Sequence, residues 1–315
     1  MKISVIIVTY NRWDDLKNTL NAYINQNYKN IEIIVIDNAS VDGTREKLPV
    51  EFPAVRYIWL PENFEIRALN IAIEMSTGDV LWRCDDDSHP IDNNCFDKVV
   101  DIFTKHQDIH IISGEVIIPK NNNAVWDWYP YEVDKINVPD TGYKSHYFSG
   151  AAVAIRRCVT DKIGGFWGFG NEEIDFSSRA ILSGFNIRYF PNLVSVHNVS
   201  PGGREKSWRW VSMCRQMMRY RWKYYPFWKA LVTSMLAAFT QTLIGTYRYR
   251  KPTVLLEGIV AMFAGALYAV NNERQVITGK QLEEITLGAN PIKDEYKFIK
   301  SSIKNILFRK KHGGK

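Results

Sequence analysis

Four largely apolar runs near the start of the chain, at residues 3–8, 31–36, 55–60 and 80–83, are separated by segments whose apolar residues recur at helical spacing. Of all the features in the sequence, this alternation constrains the fold most. A run that is apolar at consecutive positions, rather than at every second one, describes a strand buried on both faces, as in a parallel sheet. The intervening stretches fit the crossover helices that such a sheet needs. Leu16, Leu20, Tyr23 and Ile24 form one stripe, a helix is predicted from Thr44, and a third over 66–75, closed by Gly78. Strand and helix in alternation predict a doubly wound α/β domain. Sheets of this kind bind ligands beyond the carboxyl ends of their strands. Three runs end there in polar clusters: Thr9-Tyr10-Asn11, Asp37-Asn38-Ala39-Ser40 and Asp85-Asp86-Asp87. Core burial gives no reason for carboxylates and amides at each of these ends.

Length and composition agree with a large folded core. The 315 residues fit one large domain or two ordinary ones, and 46% hydrophobic with 23% charged residues excludes global disorder. The net charge of +6 hides a division. Residues 1–200 carry 19 Lys+Arg and 27 Asp+Glu, a net of −8, whereas 201–315 carry 21 and 7, a net of +14. Cys84, Cys95, Cys158 and Cys214 form no CxxC pair, so they read as reduced thiols rather than a zinc ribbon or redox motif. The N-terminal run is short, lacks a cleavage pattern and leads into Thr9-Tyr10-Asn11-Arg12, so it reads as a buried strand rather than a signal peptide.

Further strands are predicted over 109–118, 151–155, 186–190 and 194–196, and a helix over 172–182. Between them, 121–147 is a long polar and aromatic stretch holding Trp126, Trp128, Tyr129 and Tyr131, of a length usual for functional loops. The composition changes after about residue 205, which divides the chain into a catalytic domain, 1–205, and a basic, aromatic helical tail, 206–315.

Asp85-Asp86-Asp87 is the sharpest chemical feature. Three adjacent carboxylates repel one another, and a divalent cation such as Mg²⁺ or Mn²⁺, taking hard oxygen ligands, relieves that repulsion. Asp37 at the end of the second run can accept a hydrogen bond from a base N–H. Glu172-Glu173-Ile174-Asp175 follows a glycine-rich turn. It suits either helix capping or general-base work on a hydroxyl. His197 closes an apolar run, where it is either a satisfied buried group or a borderline nitrogen ligand completing a Mn²⁺ shell.

Taken in order, Val5-Ile6-Ile7-Val8-Thr9-Tyr10-Asn11-Arg12, Val35-Ile36-Asp37-Asn38-Ala39-Ser40-Val41-Asp42-Gly43-Thr44, Asp85-Asp86-Asp87, Gly164-Gly165-Phe166 and Asn171-Glu172-Glu173-Ile174-Asp175-Phe176 resemble the motifs of the inverting family 2 glycosyltransferases of GT-A fold, of the bacterial polysaccharide or rhamnosyltransferase type. The resemblance covers about residues 1–205. It implies a Rossmann-like mixed sheet flanked by helices, with a C-terminal helical region, and a nucleotide diphosphate sugar donor, UDP- or dTDP-linked. By it, Thr9, Tyr10, Asn11 and Asp37 hold base and ribose, and Asn63 and Arg67 border the nucleotide, although Phe64 stands where the family has glycine. Asp85 and Asp87 are the outer members of the DxD motif, with Asp87 the direct metal ligand. Asp86 lies on the ribose or sugar side, and His197 is the third metal-side ligand. The family's Glu-Asp base motif reads Glu172-Glu173 here. Glu173 aligns with the base, and Glu172 is the alternative. Trp126 and Trp167 are candidates for stacking on an acceptor sugar.

The tail predicts an amphipathic helix over 207–225, with Arg215, Arg219 and Lys223 on one face and Val211, Cys214 and Met218 on another. Trp208, Trp210 and Trp222 stand at its edges. Two apolar segments follow, 227–247 and 252–270, interrupted by Lys229, Gln241 and Glu257. The interruptions favour interfacial or packed helices over spanning ones. The expected location is cytoplasmic, peripheral on the inner face of the cell membrane, with an anionic lipid surface and a glycan or lipid-linked acceptor as partners. No nucleic-acid recognition motif is present. Two rival readings are a sugar nucleotidyltransferase, which lacks its glycine-rich first loop here, and a non-catalytic glycan-binding protein, which needs no aspartate triplet.

Overall fold

The computed structural model describes residues 1–119, 124–125, 132–199 and 207–311, with 124–125 and 304–311 described by backbone alone. The chain divides into two compact units. One comprises Met1–Trp167 and Glu173–Pro201, the other Gly168–Glu172 and Gly202–Lys315.

In the first unit the elements run β1 (Ile3–Thr9), α1 (Trp13–Ile24), β2 (Ile31–Asp37), α2 (Thr44–Glu51), β3 (Arg56–Trp59), a 3-10 turn (Glu65–Arg67), α3 (Ala68–Met75), β4 (Val80–Asp85), β5 (Ser88–Pro90), α4 (Cys95–Lys105), β6 (Ile109–Ile118), β7 (Ala124–Val125), β8 (Tyr143–Ser145), β9 (Ala152–Arg156), α5 (Arg157–Ile163), α6 (Glu172–Leu182) and β10 (Asn186–His197). They build one mixed sheet of order β3-β2-β1-β4-β9-β6-β10-β5, with β7 on β6 and β8 on β10. β1 to β4 are parallel, β9 is antiparallel to both neighbours, and β10 is parallel to β6.

Both faces of the sheet are covered, which is why its strands read as continuous apolar runs. Ile3, Val5 and Ile7 point to one face, packed with Leu16, Leu20, Phe96 and Val99. Ile6, Ile34 and Ile36 point to the other, packed with Leu69, Ala72, Phe176 and Ala180. Ile24, expected in the α1 stripe, is instead exposed, and Trp13 takes a buried place on that helix. The two strands expected over 186–190 and 194–196 form the single strand β10, whose register on β6 shifts between Phe190 and Val194. The shift accommodates Pro191, which cannot donate to the ladder. The segment 95–105 forms α4, with Cys95, Phe96, Val99 and Phe103 on its buried face.

The second unit holds α7 (Ser207–Tyr224), α8 (Phe227–Tyr249), α9 (Pro252–Asn272), α10 (Gly279–Thr286) and α11 (Pro291–Lys311). Its anchor is Trp210, which is buried rather than set at a helix edge. Its indole N–H donates to Oε1 of Gln241 at 3.0 Å. The ring fits where Gly245 and Gly258 have no side chain; a Cβ on either would lie within 2.6 Å of it. Gln241, which reads in the sequence as an interruption of an apolar helix, is therefore the partner of a core tryptophan, as buried polar groups require. The segment Gly168–Glu172 packs on α7: the Ser212 hydroxyl donates to the Phe169 carbonyl at 2.8 Å, and Gly170, at φ +108°, lies against the Met213 backbone.

All four cysteines are free thiols, with Cys158 exposed and the other three buried.

Candidate active site

The sheet delivers its polar groups at the carboxyl ends of β1, β2 and β4. Thr9 is buried, and its hydroxyl donates to Oδ2 of Asp86 at 2.8 Å. The next loops are tied together. The Asn11 amide N–H donates to Ser40 Oγ at 2.8 Å, and Asn11 Oδ1 accepts from the Val41 amide at 2.7 Å. Asn11 and Ala39 both sit at positive φ, 54° and 66°, so the two loops turn sharply beyond their strands. Tyr10 and Asn11 are exposed there.

Asp37 is fully buried, and both of its carboxylate oxygens accept hydrogen bonds. The Ser40 amide gives one at 2.8 Å and the Tyr57 hydroxyl the other at 2.7 Å. Burial, reinforced by that bond to Asp37, raises the Tyr57 pKa. Asp37 thereby shapes the loop that follows β2. Asn38 continues the scaffold, with its side-chain amide donating to the Glu65 carbonyl and its oxygen accepting from Phe64 N. This fixes the segment bearing Asn63 and Arg67, whose side chains are exposed.

The metal-type cluster forms because β5 pairs antiparallel with the end of β10, with His197 opposite Ser88. That register sets the imidazole beside the preceding aspartates. His197 Nε2 lies 3.0 Å from Asp87 Oδ1 and 3.8 Å from Asp85 Oδ2. One ligand atom from each of Asp85, Asp87 and His197 falls within 4.8 Å of the others. Asp87 and His197 are buried, while the Asp85 side chain is 45% exposed. Two carboxylate oxygens and an imidazole nitrogen converging from one open side fit a divalent cation of the Mn²⁺ or Mg²⁺ type. The buried carboxylates are also served by Arg12, whose Nη1 lies 2.8 Å from Asp86 Oδ1 and 3.0 Å from Asp87 Oδ2. Burial pushes Asp86 up to about 7 even though Arg12 opposes the rise.

Strand β4 reaches a second group. Side chains alternate along a strand, so Arg83 and Asp85 project to the same face. The Arg83 guanidinium is nearly buried, lies 4.6 Å from the Phe166 ring centroid and places Nη2 3.1 Å from Glu173 Oε1. Glu172 faces elsewhere: its Oε2 accepts from the Gly170 and Asn171 amides at 2.6 and 3.0 Å. The two adjacent glutamates thus differ. Glu172 is buried in caps for its own loop, and Glu173 is one-fifth exposed beside a cation.

Trp167 is 49% exposed rather than packed in the core. Trp126, with Trp128 and Tyr129, lies outside the described residues. Sequence reasoning missed Arg12 and Arg83 as site residues. For Arg83 a signal existed, since it is the one charge inside the apolar run that precedes the aspartates.

Residues 4–164 match the family described as Glycosyl transferase family 2. A relative from Escherichia coli, UDP-Glc:alpha-D-GlcNAc-diphosphoundecaprenol beta-1,3-glucosyltransferase WfaP, is 31% identical over 90 residues, 28% of this chain and 36% of that protein. Across the curated relatives it matches, the chain spans between 23% and 68% of their length. Among the solved structures that share the fold, two illustrate it. The S. aureus TarS 1–349 complex with UDP-GlcNAc superposes with a TM-score of 0.62 at 14% identity, covering 97% of this chain and 92% of that one. The mannosyltransferase PcManGT from Pyrobaculum calidifontis, in complex with GDP-Man and Mn²⁺, gives 0.56 at 17% identity, covering 100% and 88%.

Proposed function

The chain belongs to glycosyl transferase family 2 and is a glycosyltransferase of GT-A fold, and on that premise we propose that it moves a sugar from a nucleotide diphosphate donor to an acceptor hydroxyl, with inversion and with dependence on a divalent cation. The observation that carries this reading is the reach of one strand. β4 supplies Asp85 to the cation cluster and Arg83 to Glu173, so leaving-group and acceptor chemistry are served from a single rigid element.

Asp85, Asp87 and His197 would hold the cation, which supplies charge neutralisation to a diphosphate leaving group when bound. The mixed oxygen and nitrogen set favours Mn²⁺ over the harder Mg²⁺. Asp86, held by Thr9 and Arg12, faces the ribose or sugar. Tyr10, Asn11, Asn63 and Arg67 border the nucleotide on the loops that Asp37 and Asn38 brace. Glu173 takes the proton from the acceptor hydroxyl as that oxygen attacks the anomeric carbon. Arg83 orients Glu173, while Glu172 shapes the turn before it. A single displacement on the face opposite the leaving group inverts the anomeric centre. Trp167 offers an aromatic surface to an acceptor ring.

The name of the E. coli relative describes transfer from UDP-Glc to a diphosphoundecaprenol-linked sugar. That favours a lipid-linked acceptor here, for synthesis of a cell-surface glycan. The basic helical unit then meets the anionic inner face of the cell membrane, where such an acceptor resides. We assign the catalytic role to 1–205 and the membrane role to 206–315. The test is a thermal-shift screen of UDP-, dTDP- and GDP-sugars with Mn²⁺, followed by the anomeric configuration of the product by NMR. Stabilisation by a nucleotide sugar only with metal, and an inverted product, are expected. A retained configuration would refute the single displacement.

A further inference from the structure

In α8 and α9 the buried positions are mostly small, and the large apolar residues are mostly exposed. In α8 the inward positions are Ala230, Thr233, Ala237, Thr240, Gln241 and Gly245. Its outward positions include Phe227, Trp228, Leu231, Met235 and Phe239. α9 repeats the arrangement. Gly258, Ala261, Gly265 and Ala269 are inside with Val254 and Met262, and Leu256, Val260, Phe263, Leu267 and Val270 are outside. A helix packed in water does the reverse, and two exposed apolar stripes of this length mark a surface that meets another apolar phase. Glu257 is the only charge in α9, and Lys229 and Arg248 are the only charges in α8.

Both helices are long enough to cross a bilayer, at 23 and 21 residues. Two observations argue that they do not. First, α7 lies alongside α9 in the same direction. Trp210 packs at Gly258, the Arg215 carbonyl packs at Gly265, and the Arg219 guanidinium sits 5.0 Å from the Tyr268 ring centroid and bonds Glu273. A crossing α9 would draw exposed Arg215 to its own mid-depth, with Arg219 one turn away, and charged side chains at that depth are costly. Second, the connector between the helices is two residues, Arg250 and Lys251, next to Arg248, and all three are exposed. Crossing would carry this basic turn to the far side, against the retention of basic loops on the cytoplasmic side.

We propose that α8 and α9 lie in the plane of one leaflet of an anionic bilayer, as a hairpin that enters and does not cross. Phe263, Leu267, Met235 and Phe239 reach the upper acyl region. Arg248, Arg250 and Lys251 stay at the phosphates, where anionic lipid attracts them. The inference deepens the reading that the helical unit meets a membrane and rests on it.

The test uses the full chain in two assays. In flotation with phosphatidylcholine vesicles, binding should require added phosphatidylglycerol. The Phe263→Asp, Leu267→Asp double variant should reduce the bound fraction about tenfold or more, with the circular dichroism spectrum and metal-dependent donor binding unchanged. In membranes from expressing cells, Thr253→Cys in a Cys158→Ser background reports the side on which the connector lies. An impermeant maleimide should label it in inside-out vesicles and not in spheroplasts. Labelling in spheroplasts would overturn the in-plane hairpin while leaving membrane binding intact. Recovery in the soluble fraction, with no flotation, would remove the membrane reading and the hairpin with it.

Discussion

Arg83 Nη2 lies 3.1 Å from Oε1 of Glu173, a pairing of residues 90 positions apart. Arg83 is nearly buried in the sheet, and Glu173 lies in the first turn of α6. The cation fixes the carboxylate on the strand that also carries Asp85. A general base acts only when its oxygen is within hydrogen-bond reach of the proton it removes, so with Glu173 as the proposed base the position of this pair should govern turnover.

Glu173→Gln should lower transfer by about 10²–10⁴-fold while leaving donor affinity nearly unchanged. Titration calorimetry with donor and Mn²⁺, set beside a transfer assay, separates the two effects. Glu172→Gln should act instead on stability. It weakens two amide-to-carboxylate bonds, at a cost of about 1–2 kcal/mol, read by denaturant unfolding.

Arg83→Met should lower kcat by about tenfold or more with little change in donor KM, because it removes orientation rather than donor contact. Arg83→Lys should restore only part of the loss, since lysine keeps the charge without the planar fork or the stacking on Phe166. Equal activity of all three proteins would show that the pair does not position the base.

Gly150 separates activity from folding. A Cβ there would lie 2.4 Å from Arg83 Nη2 and 2.6 Å from Glu173 Oε1, so Gly150→Ala must displace the pair. Transfer should fall by about tenfold or more while the protein stays folded, as read by kinetics beside thermal unfolding.

Acid stability should carry the signature of Glu32. Burial opposes its ionisation, but hydrogen bonds from Ser4, Thr77 and Lys2 prevail and lower its pKa to about 2. A depressed carboxylate stabilises the fold fully above its unfolded pKa, near 4.3, and loses that contribution as pH falls toward 2. Because the group is only partly buried, at the surface, screening limits the contribution to about 1 kcal/mol at pH 7. Glu32→Gln should be less stable by that amount at pH 7, and the gap should close between pH 4.3 and 2. A gap that persists at the acid end would assign the effect to packing.

The sheet was legible because β1, β2 and β4 lie buried on both faces, and largely apolar runs record that directly; β3, at the sheet edge, is only partly buried. The aspartate triplet and Glu172-Glu173 were legible because a linear sequence displays clustered charge. The division of labour between the two glutamates was not, since it depends on Gly170 and Asn171 turning their amides to one carboxylate while Arg83 meets the other. Arg12 was hidden for a similar reason. Its partners Asp86 and Asp87 lie more than 70 residues away and meet it only when β1 and β4 pair. In the tail, Gln241 looked like a break in an apolar helix until Trp210 supplied its donor.

Nucleotide diphosphate release from a panel of nucleotide sugars, with acceptor lipid present, bears most directly on the cation cluster and the base together. It is measured for the wild type with Mn²⁺, the wild type with a chelator, Asp87→Asn, and Glu173→Gln. Release by the wild type with Mn²⁺ alone, reduced by about 10²-fold or more in the other three, is the expected result. Release that persists undiminished in the chelator or in Glu173→Gln would contradict a metal-dependent displacement with Glu173 as its base.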